Sequence, residues 1–443
     1  MIVLFILVGC ASPGSPAEKN PESSSYAPVA EPEPVQGQQP TEIKEPIIKE
    51  EPVVAEPGPE FKIFNPELTY EGAYNGPLYG TSEQVGAASM DSYFKLLDRN
   101  GINFFIGMFG ISGEPSADTL VADQGLGEVI DAAQKHPRRI IPFFNPGIGG
   151  EEVEKYLGEE LTRMYRRTLS AIQNIAGDTF IRGFGEVETQ EWTARHNDPR
   201  VLDLIGLAQA NNINFMFHPV ASKVDDVQKV IEAYPDTTFL FHLYREDLDK
   251  SMTKLIAIMK EHDNLYFSID AAHIIHVNGM DIIYDYDSPN KQSSINKLVS
   301  TFDSKEKAMT ADAIKAYKPL VDAAPDKVMW GTEIGPEYAF DPEVFDRAVK
   351  ISRFVIAGFD EEHQEKVAYK NALRVFGQGV VADSSIKVLD TSSWRDCTDK
   401  QISDCDSSCE TPDTDTLTAE QEACFLNCLI GKQCREVLEM DVG

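Results

Sequence analysis

From Phe64 to Gly377, short and nearly continuous apolar runs alternate with longer segments in which apolar positions recur every three or four residues. The first pattern is that of a buried strand and the second that of an amphipathic helix. The runs read ELTYEGAY, INFFIGMF, RIIPFFN, TFIRGFGEV, INFMFHP, TTFLFHL, LYFSIDA and KVMWGTE. Strands apolar on both faces belong in a parallel sheet. Eight of them, each leading into a helical segment such as PRVLDLIGLAQANN or VDDVQKVIEAYP, predict a (β/α)8 barrel rather than an open sheet. After the seventh run, the stretch from Ala272 to about Phe302 is polar and aromatic and is expected to form a loop walling the barrel mouth.

Four runs end in polar residues suited to metal binding: Glu186 in GFGEV, His218 in FMFHP, His242 in FLFHL and Glu333 in MWGTE. All four sit at the C-terminal ends of strands, the rim where such barrels carry their chemistry. Two imidazoles and two carboxylates there supply the donors of a hydrolytic metal site and a group to move protons. Just beyond the strands, Arg245 is a candidate contact for a substrate carboxylate or a surface ion-pair residue, and His273 and His276 of AAHIIH are a second ligand pair, substrate contacts or loop-packing residues. His136, His196, His262 and His363 lie among charged residues and read as solvated. GIGG at Gly147 to Gly150 lacks the spacing and the lysine of a phosphate loop, and no G-x-S-x-G elbow occurs.

The two ends differ from the middle. MIVLFILVGC is too short to span a bilayer but suits a signal-peptide core, and Leu7-Val8-Gly9-Cys10 resembles a bacterial-type lipobox, in which the cysteine is lipidated. The Pro/Glu/Ser-rich tract that follows cannot bury enough apolar surface to fold. Beyond Gly377 come Cys397, Cys405, Cys409, Cys424, Cys428 and Cys434, with no cysteine between Cys10 and Cys397. The i,i+4 pairs predict a helical hairpin, its second helix opened by a capping box of Thr418 and Gln421. Cys405 to Cys428, Cys409 to Cys424 and Cys397 to Cys434 is the preferred pairing among the possible ones, with a zinc module as the alternative. The expected organisation is a lipoprotein signal at 1–10, a disordered tether at 11–60, a barrel at 61–380 and a cysteine-rich helical hairpin at 390–443.

Composition narrows the partners. With 40 basic against 72 acidic side chains, a net −32, nucleic acid and anionic membrane surfaces are excluded as main partners. Membrane contact is expected through the lipid anchor, on the extracytoplasmic side of the cell envelope.

GFGE, FxFHP, FHL and WGTE, in that order and followed by NALRVFG, resemble the amidohydrolase-related family of barrel metal hydrolases and decarboxylases, over residues 64–377. The resemblance implies His218 and His242 as fifth- and sixth-strand ligands, Glu333 in the place of an aspartate and Glu186 at the fourth-strand carboxylate position. It also implies a divalent metal, expected to be zinc, and a small-molecule substrate. The family's first-strand histidine pair aligns with Glu71-x-Ala73-x-Asn75, which lacks both histidines. Two functions follow: a hydrolase that attacks a C–N or C–O bond with metal-activated water, or a non-catalytic envelope binding module on a relic barrel.

Overall fold

The computed structural model describes residue 68 and residues 70–84, 90–112, 121–122, 126–136, 138–145, 154–276, 290–334 and 337–377, and in the C-terminal segment 395, 397–409, 421, 424–425, 428–429, 432 and 434. Cys10 and the expected tether therefore lie outside the described residues, as do Thr418 and positions 277–289 of the insertion.

Strands β1 (Leu78–Gln84), β2 (Ile102–Ser112), β4 (Ile140–Asn145), β5 (Gly183–Val187), β6 (Asn214–Phe217), β7 (Phe239–Phe241), β8 (Leu265–Asp270) and β9 (Val328–Gly331) are successive neighbours, all parallel. The short β3 (Val121–Ala122) pairs antiparallel with β2. The ring comes round on itself, since Thr81 Oγ1 on β1 donates to Trp330 O on β9 at 3.0 Å. Outside it lie α1 (Met90–Asn100), α2 (Leu126–Lys135), α3 (Glu159–Ala176), α4 (Pro199–Ala210), α5 (Val224–Ala233), α6 (Arg245–Glu261), α7 (Ala271–His276), α8 (Lys291–Ala323) and α9 (Pro342–Ala357). The expected (β/α)8 barrel is thus present. Asp-Pro pairs open α4 and α9: Asp198 accepts from Arg200 N at 3.0 Å and Asp341 from Glu343 N at 2.9 Å, each with proline in the first turn.

Strand alternation divides the core into two shells. Phe215, Phe217, Phe239 and Phe241 pack outward with the helices, whereas Met216, Leu240, Tyr266 and Met329 fill the barrel interior with Tyr79, Phe104 and Phe143. Helix α11 (Asn371–Phe376), which follows α10 (Glu361–Glu365), contributes Ala372 and Phe376 to that interior. The same alternation carries residues 218 and 242 inward, directly above Met216 and Leu240.

Three expectations are corrected. The first strand is LYGTSEQ, not ELTYEGAY. The latter is broken by a turn, with Ala73 N bonded to Tyr70 O at 3.1 Å and Gly72 at φ 77°. Arg353 fastens the link to β1, its guanidinium donating to Tyr74 O at 2.9 Å and Gly76 O at 2.8 Å. Ala73 and Asn75 are therefore not first-strand positions; the amide of Asn75 is spent on Tyr70 O and Ala73 O. The insertion after β8 is helical at both ends, in α7 and in α8, whose start is capped by Asn290 accepting from Ser293 N at 3.0 Å. Finally, not all of the four charged-segment histidines are solvated: His196 and His363 are buried and His136 stacks on Phe94, ring centroids 3.7 Å apart.

In the C-terminal segment α12 (Asp399–Ser408) begins with a capping box of Thr398 and Gln401. Disulfides join Cys397 to Cys434, Cys405 to Cys428 and Cys409 to Cys424, with Cα separations of 5.1, 5.6 and 5.5 Å. This is the preferred pairing, and it leaves no thiolate among the six for a zinc module. Residues Pro59–Gly443 form one unit. Among the described residues no helix is long and apolar enough to cross a membrane.

Candidate metal centre at the strand ends

Each side chain of the centre is delivered by the end of a strand. His218 and His242 immediately follow β6 and β7, and Asp270 is the last residue of β8. Glu186 needs a special local geometry. A register irregularity between Phe184 and Val187 puts both of those side chains outward and turns Glu186 in between them toward the interior. Gly185 makes this possible, because it holds φ 145° and a Cβ there would lie 2.5 Å from Met216 Cβ. Glu333, two residues past β9, has φ 50°, a left-handed conformation that a non-glycine residue adopts at a cost and that collects at functional sites. His273 enters from the first turn of α7.

The six groups form one buried cluster, none more than 4% exposed. Glu186 Oε1 lies 3.1 Å from His218 Nδ1 and 2.5 Å from His242 Nε2. The other nitrogen of His242 is 2.5 Å from Asp270 Oδ2 and 3.3 Å from Glu333 Oε2. Asp270 Oδ1 accepts from Ser268 Oγ at 2.7 Å, and Ser268 Oγ lies 2.7 Å from Thr81 Oγ1. His273 Nε2 is 2.9 Å from Glu333 Oε2. The half-buried ring of Tyr244 covers the group, 4.4 Å from the centre of His218 and 5.1 Å from that of His273.

Burial opposes the charged form of every member, and the neighbours decide the outcome. For Glu186 burial is outweighed by the charge of His242 and the hydrogen bonds of both histidines, which hold its carboxylate well below the usual range. For His242 burial is likewise overcome, by Glu186, Glu333 and Asp270, and its pKa lies well above the ordinary imidazole value. Glu333 is pushed well above the carboxylate range by burial and, against the pull of His242, by Glu186 and Asp270. Burial and the charge of His242 lower His218, and push His273 down to about 3. The protein alone therefore stabilises an imidazolium at His242 in the place where a cation would relieve the same crowding of carboxylates.

The amidohydrolase family model matches residues 119–378, more than half of the chain. The chain belongs to the amidohydrolase family. Solved structures similar to it include a 2-pyrone-4,6-dicarboxylic acid hydrolase of Pseudomonas putida, described as putative (10% identical, 68% of this chain and 97% of that one, TM-score 0.43). Another is a dihydroxybenzoic acid decarboxylase of Polaromonas with bound manganese and the inhibitor 2-nitroresorcinol (11%, 70% and 99%, TM-score 0.38). A comparison with curated proteins gives no match.

The residues fit the metal that this amidohydrolase family implies. Glu186, His218, His242 and Glu333 each offer a donor atom, all within 4.8 Å of one another, and His218 Nε2 is buried without a hydrogen-bond partner. Nitrogen and carboxylate donors in that number suit a divalent transition metal. Asp270 is a member of the cluster that the strand-end pattern of LYFSID displayed but that the histidines overshadowed. Arg245 lies elsewhere: on the first turn of α6 it pairs with Asp249 and Asp312, each at 3.1 Å. The side chain of His276 falls outside the described residues.

Proposed function

We propose that this amidohydrolase-family chain is a metal-dependent hydrolase acting on a C–N or C–O bond of a small molecule, with zinc as its ion. The observation that supports the reading most is the convergence of Glu186, His218, His242 and Glu333 from four strand ends, buried and with His218 Nε2 left open. These four would hold the cation, which supplies Lewis-acid chemistry and a water acidic enough to react near neutral pH. The residues divide the remaining work by their bonds. Glu186, fixed by two imidazoles, contributes a stationary negative charge. Glu333, with His273 Nε2 at 2.9 Å and His242 Nδ1 at 3.3 Å beside its Oε2, is the group placed to take a proton from attacking water and return it to the leaving group once a cation offsets the burial and the carboxylate crowding that raise its pKa. Tyr244 walls the entrance above His218 and orients what enters.

A panel of amides, lactones and esters assayed in 18O-labelled water tests this. The expected result is turnover that places one labelled oxygen in the product, stops with chelator and falls at least about 100-fold in Glu333→Gln. Carbon dioxide release without label would contradict it. A second reading, a binding module on a relic barrel, is favoured by one observation: β1 carries no histidine, and the inward hydroxyl of Thr81 is spent on Ser268 and Trp330. Tight binding of a small molecule with no metal and no turnover would decide for it.

For location we propose lipidation of Cys10 and residence on the extracytoplasmic side of the envelope. Three disulfides, which persist in oxidising compartments, support it. Cys10→Ser should move the protein from the membrane to the soluble fraction; unchanged partitioning would contradict the anchor.

A further inference from the structure

Asp270 stands between two imidazoles. Its Oδ2 lies 2.5 Å from His242 Nδ1 and 4.0 Å from His273 Nδ1, in a place closed to water, so the protein alone decides which ring it holds. Its other oxygen accepts from Ser268 Oγ at 2.7 Å. Ser268 lies two residues back on β8, on the same face, and its hydroxyl is 2.7 Å from Thr81 Oγ1, which comes from β1 and is 3.0 Å from Trp330 O on β9. Thr81, Ser268 and Asp270 are all buried. The two hydroxyls bring two protons to these three oxygen contacts, since each donates once. An ionised carboxylate draws the strongest of the three bonds, which keeps the proton of Ser268 on Asp270 and turns that of Thr81 from Trp330 O to Ser268 Oγ. Thr81, Ser268 and Asp270 then form a one-way row in which each hydroxyl polarises the next. The row pins Oδ1, and with it the plane of the carboxylate, so that Oδ2 stays on His242 rather than swinging to His273.

We propose that Thr81 and Ser268 are positioning residues: acting through Asp270, they hold His242 with its proton on Nδ1 and with Nε2, the nitrogen that faces Glu186, turned to the centre. The inference rests on the metal-site reading above and names the residues that stand behind one of its ligands. β1, which carries no histidine, serves the centre through the hydroxyl of Thr81. Partners behind a metal-binding imidazole fix its orientation and the nitrogen it offers, and removing one commonly costs about 10- to 100-fold in metal affinity.

Two measurements on the full chain test this, one with metal and one without. Zinc affinity, read by competition with a chromogenic chelator, should fall about 10- to 100-fold in Ser268→Ala and in Thr81→Val, and Thr81→Ser should restore it. Because the two hydroxyls act in series, Thr81→Val with Ser268→Ala should fall no further than Ser268→Ala alone. In the chain stripped of metal and carrying 15N-labelled histidine, the proton of His242 Nδ1 should resonate far downfield, assigned by its loss in His242→Gln. That resonance should move upfield or vanish in Ser268→Ala and Thr81→Val and return in Thr81→Ser. A role in packing alone would lower the melting temperature and leave the resonance in place. Ser268→Ala decides the matter if Thr81→Val does not fold. An unchanged resonance in Ser268→Ala, or losses of affinity that multiply in the double variant, would overturn the proposal. A wild type that binds no zinc would overturn the metal reading instead, and the resonance of the metal-free chain would still decide for or against the row of hydroxyls.

Discussion

Gly185 is where a single missing Cβ decides the site. With φ 145° and Met216 Cβ only 2.5 Å from where its own Cβ would be, alanine there must move β6 or lose the turn that directs Glu186 inward. Gly185→Ala is predicted to lower stability by about 2 kcal/mol or more in urea unfolding and to weaken metal retention together with it. A stability loss with metal retention intact would show that Glu186 needs no such turn. His196 gives a second residue-scale prediction. Burial, then the charge of Lys223, lower its pKa from 6.5 to about 3. The unfolded chain therefore takes up a proton that the folded one refuses, so this stability is complete above pH 6.5 and is lost as pH falls toward 3. The loss is at most about 1.4 kcal/mol per pH unit from this group. Urea midpoints between pH 7.5 and pH 5 should fall less steeply in His196→Leu than in the wild type; equal slopes would contradict it.

At the scale of elements, the barrel strands other than β1 were legible because both faces are covered and the apolar runs are continuous, whereas the two-residue β3 was not. β1 escaped for the opposite reason: LYGTSEQ turns polar toward the barrel mouth, while the more apolar ELTYEGAY is pinned outside the sheet. That pinning depends on Arg353, which is fully buried and donates to Tyr74 O, Gly76 O and, at 2.5 Å, Asn100 O. Arg353→Ala should destabilise by about 3 kcal/mol or more, since it leaves several buried carbonyls unpaired. Hydrogen exchange should rise first at residues 74–80; exchange that rises evenly over the barrel would argue against a local tie. The site was legible wherever a histidine or glutamate interrupted a strand's apolar run. Asp270 was not, and His273 was only one of two histidines in AAHIIH with several open roles, because only the fold shows that α7 starts directly after Asp270 and brings His273 to 2.9 Å from Glu333.

For the molecule as a whole, the six cysteines beyond the barrel close on themselves, so an intact-mass measurement without reductant should show none of them open to alkylation. Alkylation of any of Cys397 to Cys434 in the folded chain would contradict the pairing. Among the described residues, none of the C-terminal segment enters the cluster of charged groups, whose members belong to strand ends and α7. In a chain of net charge −32, the carboxylates of Glu186 and Glu333 form ion pairs only with histidines among the described residues. A cation is what that imbalance calls for. Elemental analysis of the protein purified without chelator from an oxidising compartment, beside His218→Ala with His242→Ala, tests this most directly. Transition metal in the wild type, at one equivalent or more, and none in the double variant is the predicted result; a metal-free wild type that stays so after incubation with zinc and manganese ions would contradict the account.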